Sequence, residues 1–391
     1  MKPGTGHIQA LTSLRFFAAL LVVVFHHGQN LFVSCPIWWQ NIIKGGYVGV
    51  PFFFVLSGFI LTHTYARRTA STSWNPRPFW RARFARVYPV YFLSLVLSAP
   101  IFWFALSSET TPEAVGPQFG LHAMAVVGLA QSWIPAWSFS WNGPAWSLSV
   151  EAFFYAVFPF LMLASSRMRG RWLLGMAAGG MAMLVFARMA PAWNPIAGLQ
   201  RLLGWANPLL WLPLFLLGIC AAELSQTLPQ RCVSWLGTAV RSHWACWAVT
   251  GLILVLMAAN LQRWSQLLYC YAVAPLCAVL IHLIARGENL FTRLLAGRGL
   301  VLLGEASYSL YILHRPIHDW FQWMSQKTPL PSTHTAMGFL LYLMVSLILS
   351  VLSLKLVEYP CREWIRQSAR TVKPDTQPRN LAPVPNLPLI R

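Results

Sequence analysis

Arg15 and His26 lie eleven positions apart in one apolar run, LTSLRFFAALLVVVFHHGQN, residues 11–30. At about 3.6 residues per turn, eleven steps make three turns plus about 20°, so both side chains share a helix face. The rise between them is about 16 Å, roughly half the hydrocarbon core of a bilayer. Ionisable groups at such depth cost several kcal/mol unless they face a polar interior. The pair is therefore a candidate site. An imidazole can serve as a general base near neutral pH, and His27 stands beside it. A histidine hydrogen-bonded between two helices has the same signature.

Four more segments hold groups that could do chemistry. Glu151, in PAWSLSVEAFFYAVFPF, is one of only ten acidic residues and sits inside an apolar run, where it could meet His26 or pair with an arginine of a neighbouring helix. FWRARFARVYPVYF places Arg83 and Arg86 one turn apart, with Arg81 close by. Guanidinium groups suit phosphates, which they grip through two bonds at once, but arginines there also anchor a membrane helix. GGYVGVPFFFVLSGFILT offers the Ser57 hydroxyl among packing glycines at 46, 49 and 58. LLGEASYSLYILHRPIHDW repeats Tyr308, Tyr311 and His314 at helical spacing and continues to His318 and Asp319.

The chain that must position these groups is 57% hydrophobic and 10% charged, with a mean hydropathy of +0.53. A soluble domain carries about 25% charge. The expected fold class is an all-α polytopic membrane protein. Apolar runs of membrane length fall near 10–27, 48–65, 86–106, 145–165, 172–190, 207–222, 243–260, 267–285, 302–321 and 335–357. With the N-terminus in the cytoplasm, ten such transmembrane helices leave all but six of the 29 basic residues in cytoplasmic segments and both termini inside. That asymmetry accounts for the net charge of +19 without any nucleic acid. Leu121–Ile134 is short for a span, and the 107–144 region around it has Glu109, Glu113, Trp133, Trp137 and Trp141 but no Lys or Arg. Leu121–Ile134 is expected to be a re-entrant or interfacial segment in this outer region. The run at 11–27 lacks a small-residue cleavage site and carries Arg15, so it reads as a helix rather than a signal peptide. The seven cysteines show no metal-binding or disulfide spacing, and no metal site is expected. The division is a membrane-embedded domain over 1–370 and a proline-rich, disordered cytoplasmic tail over 371–391.

Taken together the segments resemble the acyltransferase-3 family of integral membrane O-acyltransferases. The matches are Arg15-x10-His26, the glycine-rich run at 46–59, Arg83-x-x-Arg86-Val-x-Pro, Trp146-Ser147-Leu-x-x-Glu151, and Tyr308-Ser-Leu-Tyr-x-x-His314-x-Pro. They occur in the family's order and cover residues 10 to about 360. The resemblance implies an acyl-CoA donor, most often acetyl-CoA, approaching from the cytoplasm with its phosphates near Arg83 and Arg86; Ser57 is a further candidate for donor binding. It implies that His26 acts in acyl transfer while Arg15 and Glu151 orient or tune it. The acceptor it implies is a hydroxyl of an envelope carbohydrate or glycolipid outside a bacterial inner membrane. The family's fused hydrolase-like outer domain has no counterpart in these residues, so the expectation is a membrane domain acting alone or with a separate partner. Two other classes fit the bare residues. Intramembrane Arg, His and Glu also suit a transporter or acyl-group carrier, and an inactive scaffold would not need the motifs at all.

Overall fold

In a computed structural model of the protein, the residues described are 5–69, 75–167, 175, 177–180, 182, 204–227, 244–259, 266–287 and 289–367. They are helical, with no strand among them. In chain order the helices are α1 (Thr5–His27), α2 (Ile37–Lys44), α3 (Gly49–Thr69), α4 (Arg77–Glu109), α5 (Pro112–Val127), α6 (Trp146–Arg167), α7 (Pro208–Thr227), α8 (Ala245–Ala258), α9 (Gln266–Arg286), α10 (Leu290–Leu295), α11 (Arg298–Ser325), α12 (Ala336–Ser353) and α13 (Tyr359–Gln367).

Seven helical stretches among these residues are long and apolar enough to cross a membrane. Three of the ten expected spans are not in that set. The run at 172–190 lies mostly outside the described residues. The run at 243–260 is the 14-residue α8, about 21 Å long at 1.5 Å per residue. The run at 302–321 is α11, whose 28 residues are ample in length. Its Glu305, His314 and Arg315 dilute its hydropathy, because this helix is the polar inner wall of the bundle. The tail at 371–391 is also outside the described residues.

α4 starts at Arg77, nine residues before the expected 86. Pro78 opens the helix at its first turn, where the missing N–H costs nothing, and arginine is a good helix former. The 33 residues span about 50 Å, well beyond a hydrocarbon core of about 30 Å. α5 has 16 residues, about 24 Å, and is too short to span. The end of α5 and the segment after it are tied into the bundle. Tyr91 donates to the Val126 carbonyl at 2.5 Å, Ser132 to Trp146 at 2.7 Å, and Asn142 to Ile312 at 3.0 Å.

α1, α3 and α11 form the centre. α3 lies backbone to backbone against α7. A Cβ on Gly58 would stand 2.2 Å from the Phe215 carbonyl oxygen, and one on Gly218 would stand 2.0 Å from that of Val55. α11 meets α1 in the same way, with Gly304 against the Thr12 carbonyl. Ten residues later His314 lies beside His26. α1 and α11 therefore run parallel, as two membrane helices separated by an odd number of crossings do.

Candidate functional site

A cavity of about 450 Å³ opens among α1, α3, α4, α6, α11 and α13. Its charged lining consists of Arg15, Arg83, Arg86 and Arg362 against Glu151 and Glu305. Glu151 of α6 accepts from the Ser57 hydroxyl of α3 at 3.2 Å. The Tyr155 hydroxyl, one turn along α6, donates to the same Oε1. Arg83 lies 5.8 Å from the centre of the Tyr65 ring and 6.0 Å from that of Phe79, a cation–π seat. Its Nε is buried with no hydrogen-bond partner among the described residues. Arg86 Nη1 donates to Glu358 Oε1 at 2.7 Å. On α11 the Tyr308 hydroxyl donates to the Val87 carbonyl at 2.6 Å, and Tyr311 pairs with Ser147 at 2.7 Å. Cationic groups exceed anionic ones in the lining, so the cavity suits an anionic ligand.

His26 is at the other end of the same face of α1, about 16 Å further along the axis by helix rise. Its Nδ1 is 2.9 Å from the Val22 carbonyl. A carbonyl only accepts, so Nδ1 carries the hydrogen and a neutral ring keeps its lone pair on Nε2. The side chain is exposed. Around it stand three more imidazoles. His314 is fully buried, with its ring centre 5.2 Å from that of His26, and its Nδ1 donates to the Tyr311 carbonyl at 2.6 Å. His27 stacks on His318 at 3.7 Å. His318 in turn lies 3.3 Å from Asp319, which holds Arg315 at 2.8 Å. The Nε2 atoms of His27 and His314 are buried with no hydrogen-bond partner among the described residues. No group of three or more His, Cys, Asp or Glu among the described residues is placed to hold a metal ion.

The structure thus sorts the sequence candidates into two places. Arg15, Ser57, Arg83, Arg86, Ser147, Glu151 and Tyr308 line the cavity. His26 and His314 form the histidine end, and Tyr311, on the cavity wall, has its ring centre 6.2 Å from that of His314. Of the two alternatives for Glu151, a meeting with His26 or a place among arginines, the carboxylate lies in the cavity lining with Arg15, Arg83 and Arg86 and accepts from Ser57 and Tyr155. Trp146 is buried among Phe54, Trp205 and Trp211 and is outside the cavity lining. Sequence reasoning missed Tyr155, Glu305, Glu358, Tyr359 and Arg362. The rule that singled out Glu151, a rare acid in an apolar run, also applies to Glu358 at the end of the last one.

The profile of one protein family, described as an acyltransferase domain of the acyltransferase-3 type, matches residues 8–355. The acyltransferase MdmB of Streptomyces mycarofaciens is 28% identical over 326 residues, 80% of each chain. A putative peptidoglycan O-acetyltransferase, YrhL of Bacillus subtilis, is 26% identical over 381 residues, 91% of this chain and 55% of the relative. The peptidoglycan O-acetyltransferase OatA of Listeria monocytogenes is 23% identical over 380 residues, 91% of this chain and 56% of the relative. The chain spans little more than half the length of these two O-acetyltransferases. No solved structure matches.

Proposed function

We propose, for a chain that belongs to the acyltransferase-3 family and is by that membership an O-acyltransferase enzyme, that it moves an acetyl group from acetyl-CoA to a carbohydrate hydroxyl. The observation that carries the reading is the arrangement along α1. Arg15 lines a cavity with Arg83, Arg86 and Glu151, and His26, with Nε2 open, stands further along the same face. A donor with its phosphates at one end and its thioester on an extended arm matches that layout. The donor enters from the cytoplasm, where Arg83 and Arg86 lie in the ten-span topology. The acceptor meets His26 from the outer side of the inner membrane. Relatives named as peptidoglycan O-acetyltransferases support an envelope carbohydrate as acceptor.

In this mechanism His26 Nε2 takes the proton of the acceptor hydroxyl as its oxygen attacks the thioester carbonyl. The carbon–sulfur bond then breaks, and the proton passes to the departing thiolate. The products are an ester and free coenzyme A. The bond from Nδ1 to Val22 keeps the ring in the tautomer that can do this. General-base catalysis contributes about 10²–10⁴-fold, and holding donor and acceptor in line supplies much of the rest. Arg15 and Glu151 set the charge beneath the donor's reactive end.

The test uses labelled acetyl-CoA, extracted envelope glycans, and membranes holding wild type or His26→Ala. Base-labile label in glycan from wild type alone is expected. Equal label from an inserted His26→Ala protein would remove this histidine from the reaction.

A further inference from the structure

Glu358 ends a widened, π-type turn at Leu354–Glu358 that joins α12 to α13. Pro360 explains the turn. A proline gives no N–H, and its ring presses on the carbonyl four residues back, here that of Leu356. The wider turn accommodates that carbonyl and brings Leu354 and Glu358 inward while Lys355 and Leu356 stay exposed. Such turns recur at functional sites.

The Glu358 carboxylate is fully buried (0% exposed), and its Oε1 accepts from Arg86 Nη1 at 2.7 Å and from Arg362 Nη1 at 3.3 Å. Oε2 is buried with no hydrogen-bond partner among the described residues. A carboxylate that binds one guanidinium for stability commonly uses both oxygens. Here two guanidiniums share one oxygen, and both line the cavity. Each carries five N–H donors, so contact through one nitrogen fixes the direction of the others. The helix bearing Arg362 is tied to the facing wall, because the Tyr359 hydroxyl donates to Glu305 at 2.8 Å. Glu358, Tyr359 and Arg362 lie beyond the family match at 8–355.

We propose that Glu358 is a positioning residue that aims Arg86 and Arg362 into the cavity, and that Arg362 is a third cationic contact, beside Arg83 and Arg86, for the phosphate groups of the donor. This rests on the reading of the cavity as the acyl-CoA site. A polyanionic ligand meets Arg83 and Arg86 of α4 and Arg362 of α13, and the buried carboxylate stops Arg86 and Arg362 from swinging apart under mutual repulsion.

The full-length protein in lipid nanodiscs is titrated with coenzyme A, and initial rates give KM for acetyl-CoA and for the acceptor separately. Arg362→Gln and Glu358→Gln should each weaken coenzyme A binding by about tenfold or more, the usual worth of a charge-assisted bond. KM for acetyl-CoA should rise in parallel while KM for the acceptor stays put. Arg362→Lys, which keeps the charge and loses the fork, should recover part of the loss. Arg362→Gln and Arg362→Lys carry the test alone if Glu358→Gln does not fold. Wild-type binding in both Arg362 variants overturns the proposal. So does a fall in thermal stability with a rise in acceptor KM in step with weaker donor binding, since that marks a purely structural contact. A wild type that neither binds coenzyme A nor uses acetyl-CoA overturns the donor reading, and this proposal with it.

Discussion

At the scale of single residues, Glu151 shows what a rare acid in an apolar helix is doing. Two hydroxyls, Ser57 and Tyr155, donate to one of its oxygens, and the cavity's arginines face it. Removing the carboxylate should cost more than removing either donor. Glu151→Ala is expected to lower acetyl transfer about a hundredfold or more, the range of an acid–base or charge contribution, whereas Ser57→Ala is expected to cost about tenfold or less. Initial rates on membranes matched for inserted protein check both. Glu151 and Ser57 were legible in the sequence because ionisable and hydroxyl groups are conspicuous among apolar neighbours. Their partners were not. The spacing of Arg15 and His26 shows that they share a face, but it does not show that Glu151 joins Arg15 and leaves His26 to the other histidines. Which groups meet depends on how far each helix slides along its neighbour.

At the scale of elements, that sliding is governed by small residues at backbone contacts. Gly218 and Gly58 hold α3 and α7 together at a distance no side chain would permit. Gly218→Leu should therefore lower the melting temperature in detergent and reduce the amount of inserted protein, since overpacking a tight contact costs about 1–3 kcal/mol or more. Gly251→Ala in α8 meets nothing within 4 Å and should be neutral or stabilise by up to about 1 kcal/mol. An equal loss from both would mean that the close approach is unimportant. Most long helices were readable from apolar runs. The exceptions have physical reasons: α4 keeps its helix through the arginines beyond the apolar stretch, and α13 follows a turn that Pro360 widens.

At the scale of the whole molecule, the layout implies opposite ends: the cavity with Arg86 and Arg362 at one, His26 and the loop after α1 at the other. Cys35 lies just past α1 and Cys361 beside Arg362, and both are partly accessible. With the other cysteines replaced, a membrane-impermeant maleimide should label Cys35 in intact spheroplasts and Cys361 only after permeabilisation. The reverse pattern would invert the topology, and labelling of both from outside would refute two ends. The class of this protein follows from composition and spacing alone, because membrane hydropathy and ionisable groups inside apolar runs are local properties of the chain. Five short motifs in order were enough to suggest an acyltransferase. The contents of the site were decided only by the tertiary structure. Glu358 and Arg362 lie more than 270 positions from Arg86 in the chain, and no local pattern states that a buried carboxylate and two guanidiniums will meet. That outcome depends on the summed packing of α1, α3, α4, α11 and α12, in which each close helix contact sets the depth of the next.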